Sequence, residues 1–177
     1  MSKQLSMKSL EIQDQHHLRA AEGWLELGNH IEAANEIENI SFAERNHPDV
    51  LEVRWLIYAK AQKWDVCLDL ARAITKLAPD RPFGWVHLAY SLRRATDGSL
   101  EAALETLVPV VDQFPKIWMM PFNLACYCSQ LGRLDEAQEW FKKAMAIDEQ
   151  TVKRAGIEEP DLKPLWDSMS GTLWKKE

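Results

Sequence analysis

The groups in this chain that could hold a metal, attack an electrophile or move a proton are five histidines, three cysteines and 27 carboxylates. Their spacing matters more than their number. His16 and His17 are adjacent and would point about 100° apart on a helix, which suits surface or packing positions better than shared ligation. His30, His47 and His87 stand apart from one another, and no HExxH pattern occurs. Cys126 and Cys128 are two residues apart and so face different sides of a helix, Cys67 is remote, and there is no Cys-x-x-Cys. The seven glycines are scattered and build neither a phosphate loop nor a G-x-S-x-G elbow. The acidic residues read as solvated helix faces. The expectation is a chain that is not an enzyme, with no catalytic residue, no metal and no cofactor.

The composition limits the classes further. At 177 residues the length suits one domain, which buries roughly 70% of its unfolded surface. A hydrophobic share of 46% against 27% charged is that of a globular chain. The net charge of -6 argues against a general nucleic-acid binder, because phosphate contacts need a basic face. The three cysteines give no disulfide framework, so a reducing, cytoplasmic interior is the simpler setting. The first fifteen residues lack the apolar core of a signal peptide, and no run approaches 18 apolar residues, so neither secretion nor membrane insertion is expected.

The elements that must position any site emerge from Leu124 to Ile147. Leu124, Ala125, Cys128 and Leu131 fall at helical spacing, Gly132 marks a turn, and Leu134, Ala137, Phe141, Ala144 and Ile147 form a second helical run. Two helices joined by about two residues pack antiparallel, and Ala125 and Ala137 are small enough for close approach. One such hairpin cannot bury its own apolar face, and the sequence supplies copies. The turn position recurs as Gly28, Gln62, Gly98 and Gly132, at intervals of 34, 36 and 34 residues. The small residue of the second helix recurs as Ala33, Cys67, Ala103 and Ala137, and the packing position of the first helix as Ala21, Trp55, Ala89 and Ala125. The offset between these series places a two-residue insertion near Thr96 and Asp97.

A helix-turn-helix period of 34 residues with small, aromatic and proline positions resembles the tetratricopeptide repeat family. The third unit carries the pattern in Trp85, Leu88, Ala89, Leu92, Ala103, Leu107 and Pro115, and the fourth in Leu124, Ala125, Gly132, Ala137, Phe141 and Ala144. Trp55 in place of a small residue, Gln62 in place of the turn glycine and Arg45 at a closing proline position are departures in the first two units. The resemblance covers about Asp14 to Gln150. It implies an all-α, right-handed α-solenoid of antiparallel helix pairs, divided into units at 14–47, 48–81, 82–117 and 118–150. Residues 1–13 form an N-terminal arm with Leu5 and Met7. Residues 151–177 hold a linker with loosened spacing, a capping helix from about Pro160 to Met169, and a mobile tail with Trp174.

Local signals add detail. Ser99 is a plausible N-cap for the second helix of unit three. Pro109 lies deep inside that helical pattern, where it removes the hydrogen bond to Glu105, and a kink is expected. Pro121 falls in a first turn, where proline is tolerated. Charge is distributed unevenly. Residues 11 to 44 carry eight acids against Arg19 alone, whereas residues 48 to 96 carry eight bases against five acids.

In the family, the first helix of each unit lines a concave groove, and the resemblance carries that role to particular positions here. They are Leu18, Glu22 and Leu25; Glu52, Leu56 and Lys60; Phe83, Val86, His87, Tyr90, Arg93 and Arg94; and Met119, Phe122, Asn123, Cys126 and Gln130. Phe83, Tyr90 and Phe122 would anchor a peptide, Arg94 would pair with a carboxylate, and Asn123 would bond the peptide backbone. A family sub-class grips a terminal carboxylate through Lys and Asn on the first helix, but Leu18 and Glu22 occupy those positions. The expected function is a protein-interaction scaffold that takes a peptide segment of a partner in the groove, as a monomer or weak homodimer. A chaperone-like holder of an exported or assembling protein and a structural homo-oligomer are the alternatives.

Overall fold

The computed structural model describes residues 9–169, so the expectations for Leu5, Met7, the tail and Trp174 lie outside the described residues. Four helical hairpins follow one another: α1 (Ile12–Glu26) with α2 (His30–Glu38), α3 (Pro48–Lys60) with α4 (Trp64–Leu77), α5 (Pro82–Leu92) with α6 (Leu100–Leu107), and α7 (Met119–Gln130) with α8 (Leu134–Ile147). Two further helices follow among the described residues, α9 (Glu149–Glu158) and α10 (Lys163–Ser168). No strand occurs among the described residues. The pairs stack into a right-handed α-solenoid.

The turns explain why the hairpins repeat. Gly28, Gln62 and Gly132 all adopt left-handed backbone, with φ of 79°, 56° and 73°. In each case the following amide reaches back to close the helix: Asn29 to Trp24, Lys63 to Tyr58 and Arg133 to Cys128, at 2.8, 2.9 and 2.9 Å. This is the Schellman closure, which satisfies carbonyls that a helix end otherwise leaves bare. The third turn is built differently because of its two extra residues. Thr96 is tied to the preceding unit, its amide and hydroxyl both donating to Asp65, at 2.9 and 2.8 Å. Gly98 is required there by proximity, since a Cβ would sit 1.6 Å from the Leu92 carbonyl oxygen.

Small side chains set the distance between helices. Ala21 and Ala33, Ala89 and Ala103, and Ala125 and Ala137 are all fully buried, so the backbones of each pair approach closely and larger neighbours fill the flanks. Between units two and three, Gly84 lets α5 lie against α4, with Ile74 Cγ2 2.9 Å from where its Cβ would be. Asp14 ties the first unit's two ends together. It is buried, accepts from the Ser41 amide at 2.8 Å and hydroxyl at 2.6 Å, and the hydroxyl bond foremost holds its carboxyl below the usual range.

Two expectations are corrected. Pro109 does not kink its helix but ends it: α6 stops at Leu107, and turns lead into a 3-10 turn at Val111–Gln113. Without an N–H, and with its ring against the carbonyl four residues back, proline terminates a helix that no other contact forces to continue. The stretch after Ile147 is not a loosened linker. Asp148 caps α9 by accepting from the Thr151 amide at 3.0 Å, and Val152 and Gly156 are buried along it. Gly156 lets this helix press on Phe141, and Trp166 of α10 closes the stack with its indole N–H on the Gly156 carbonyl at 3.1 Å. Ser99, by contrast, is the N-cap expected, accepting from the Ala102 amide at 3.0 Å.

Trp55 resolves the departure in unit two. It is 3% exposed and projects towards α5, where Phe83, His87 and Tyr90 surround it edge-on at 4.1 to 6.1 Å. Its indole N–H donates to Ser91 Oγ at 3.0 Å, whose hydroxyl donates to the His87 carbonyl at 2.7 Å. His87 stacks on Phe83 at 3.8 Å and donates from Nδ1 to the Phe83 carbonyl at 2.8 Å. That bond fixes the tautomer with Nε2 unprotonated, and burial pushes the imidazole from 6.5 down to about 4.

Two outcomes follow. Gln62→Gly removes the left-handed strain and should stabilise the fold by about 1 kcal/mol, seen as a higher urea midpoint; an unchanged or lower midpoint would contradict the turn assignment. Because the unfolded chain takes up a proton at His87 near pH 6.5 and the folded chain only near 4, stability falls as pH drops through that window. His87→Phe keeps the stack and should flatten the fall, sparing up to about 2 kcal/mol near pH 5. Parallel pH profiles for the two proteins would refute the assignment.

Candidate partner-binding groove

The first helices of the pairs stand beside one another, and between α3, α5 and α7 they leave an open cavity of about 430 Å³. Its apolar wall consists of Trp55, Leu56, Ala59, Val86, Tyr90 and Met119, with Trp64 entering from the start of α4. Lys60, His87 and Asn123 supply the polar groups. Leu56 and Met119 are 36% and 42% exposed, large apolar side chains left open to a ligand. His87 offers its unprotonated Nε2 as an acceptor, and Asn123 can both donate and accept.

Arg94 stands at the edge of this cavity, lining a smaller adjoining one of about 270 Å³ that shares Trp64. Its guanidinium lies 3.6 Å over the Tyr90 ring and 5.3 Å from Trp64, and it donates to the Tyr90 carbonyl at 3.3 Å. Burial lowers its pKa from the ordinary arginine value, since half-burial penalises the charge. On the opposite face, a cavity of about 420 Å³ between α6 and α8 is lined by Glu101, Glu105 and Glu136 beside Arg133. Glu136 is already joined to Arg133 there.

Of the positions expected to line the groove, Leu56, Lys60, Val86, His87, Tyr90, Met119 and Asn123 meet in the cavity, and Arg94 stands at its margin. Phe83 lies beneath, packed on Trp55 and His87. Others are engaged elsewhere, Leu18 and Leu25 in the core of the first unit and Gln130 on the Asp161 carbonyl at 2.8 Å. Phe122 and Cys126 are 6% and 3% exposed and belong to the core, Phe122 between Trp118 and Phe141, with the Cys126 thiol pushed well up by burial. Arg93 forms an ion pair with Asp161, which anchors the C-terminal segment to α5. Glu52 accepts from Arg81 at 3.0 Å, and its own burial raises its carboxyl. Glu22 is exposed on α1, away from the cavity.

Trp55, Ala59 and Trp64 line the cavity although repeat register alone missed them, and the two tryptophans matter most. Trp55 occupies a position that the repeat reserves for a small residue, and Trp64 opens a second helix, which the register assigns to the outer face. The available signal was their size: a tryptophan where the repeat wants alanine must fill space outside its own hairpin. Among the described residues no three His, Cys, Asp or Glu side chains gather as a metal site. Nor is any helix among them long and apolar enough to cross a membrane.

Comparison with known proteins gives three results. The family model of the tetratricopeptide repeat matches residues 122–151. No curated protein sequence matches the chain. Among solved structures, TTC0263, a thermophilic TPR protein in Thermus thermophilus, superposes with a TM-score of 0.73 at 21% identity, over 89% of this chain and 84% of that one. MamA from Desulfovibrio magneticus RS-1, residues 41 to the end, gives 0.66 at 16% identity over 96% and 100%, and MamA AMB-1 gives 0.62 at 20% over 91% of each. At such identities the likeness is one of fold. With one family-model repeat in its fourth unit and a solenoid shared with these structures, the chain has the tetratricopeptide-repeat fold.

Proposed function

We propose that the chain is a non-catalytic interaction module that holds a peptide segment of a partner protein in the groove between α3, α5 and α7. The observation that carries this reading is the 430 Å³ cavity itself, in which exposed Leu56 and Met119 flank an aromatic wall and a few polar groups. Concave, mostly apolar surfaces with sparse, directed polar groups are what peptide recognition requires. A peptide main chain can donate to His87 Nε2 and exchange two hydrogen bonds with Asn123, while its side chains cover Leu56, Trp64 and Met119. The aromatic wall is already ordered by the Trp55 contacts, so little conformational entropy is lost there on binding.

Leu56→Glu with Met119→Glu places charge in the apolar wall without touching the core. Proteins captured from the native cell extract by the wild type should be lost with this double variant, whereas an unchanged set of partners would end the groove reading.

A second reading, self-association, is favoured by one feature of the first unit. Ile12, Leu27, Ile31 and Phe42 are 64% to 88% exposed, large apolar side chains that a second copy would cover. Sedimentation velocity should then show dimers that Ile31→Glu disperses; a monomer at all attainable concentrations removes this reading.

A further inference from the structure

We infer that the segment held in the groove is acidic, with its carboxylates on Arg94 and the neighbouring Lys60 and Lys63 and its aliphatic side chains on Trp64 and Met119. The inference rests on the groove reading above and adds the chemistry of the partner. It begins with an imbalance among the arginines. Among the described residues the half-buried arginines are Arg45, Arg54, Arg81, Arg93 and Arg94. The first four each reach a carboxylate: Glu38 serves Arg45 and Arg54, Asp49 and Glu52 serve Arg81, and Asp161 serves Arg93. Arg94 has aromatic rings beneath it and one carbonyl as acceptor, but no carboxylate. A guanidinium half withdrawn from water with no carboxylate in contact is costly, and an anion brought by a ligand reduces that cost.

The chain itself shows what this end of α5 accepts. The sequence Glu158, Glu159, Pro160, Asp161, Leu162 crosses the ends of α5 and α7. There Arg93 pairs with the Asp161 carboxylate, Gln130 donates to the Asp161 carbonyl at 2.8 Å, and Leu162 is fully buried. An acidic residue followed by an aliphatic one is therefore already the ligand of Arg93. Arg94, the next residue, stands at the groove margin with its site open.

The surroundings have the matching sign. Lys60 lines the groove and Lys63 the adjoining cavity, and neither has a carboxylate within ion-pair distance among the described residues. The one acid there, Asp65, is held by the Thr96 amide and hydroxyl. Stacking on Tyr90 leaves the free edge of the Arg94 fork to a planar, two-oxygen acceptor, which favours a side-chain carboxylate over a phosphate needing donors on several sides.

A phage-displayed library of random peptides, selected on the full chain, tests this. Selected sequences should carry Asp or Glu beside Leu, Ile or Met and should weaken as salt rises. Arg94→Gln should reduce their affinity roughly tenfold, with Arg94→Lys between it and wild type, while the melting temperatures stay alike. Should Arg94→Gln lower the melting temperature, Lys60→Glu with Lys63→Glu on the exposed rim gives the same comparison. Peptides that lose binding in the Leu56→Glu, Met119→Glu variant, yet carry no acid or ignore the charge variants, would overturn the acidic-partner inference and leave the groove reading standing. Peptides indifferent to the groove variant, or no selected peptide at all, would overturn both. Self-association abolished by Arg94→Gln would make a second copy the occupant and would also overturn it.

Discussion

Everything in this molecule depends on the close approach of paired helices at small residues. A hairpin closed by a left-handed turn has little surface of its own to bury, and it becomes stable when its neighbours lie against it at a fixed spacing. The buried alanines at 21, 33, 89, 103, 125 and 137 keep that spacing constant. With the spacing constant, first helices fall beside first helices, and a continuous surface arises without any element specialised to build it.

The character of the groove changes where this rule is relaxed. In unit two, Trp55 and Cys67 take the places of two alanines. Cys67 stays fully buried within the hairpin, and the tryptophan is directed outward into the junction with α5. The consequence is a wall in which Trp55, His87 and Tyr90 hold one another, with Trp64 resting on Tyr90 at 5.8 Å and Arg94 laid on top. One side chain thus binds unit two to unit three and gives the groove its aromatic lining. At the other end, the C-terminal segment covers α7 and α8 and engages Arg93, while Cys126 is buried, so the open part of the groove lies towards the middle of the chain.

Much of this was legible in the sequence, for physical reasons. Period and turn chemistry are local, so the hairpins, the Ser99 cap and the insertion at Thr96 could be read from spacing alone. Tertiary choices were less accessible. Whether Pro109 kinks or ends a helix depends on what lies beyond it, and the polar run after Ile147 disguised a helix whose buried face is only Val152 and Gly156. For the groove, register points to a face of each first helix but cannot separate a lining residue from one packed between units. Phe122, Cys126 and Leu56 share the same expectation, and only Leu56 remains open. Charge pairing was equally hidden: Arg93 and Arg94 are adjacent in sequence and opposite in fate because Asp161, 68 residues after Arg93, reaches one of them.

The central claim is that the Trp55 junction creates the surface on which this protein meets its partner. The most direct measurement is a nitrogen-edited NMR titration with a selected or natural partner peptide, following indole and side-chain amide signals. The account predicts that the Trp64 indole and Asn123 amide resonances shift while those of Trp24 and Trp140 stay in place. Shifts confined to Trp24 or Trp140, with Trp64 and Asn123 unmoved, would contradict it.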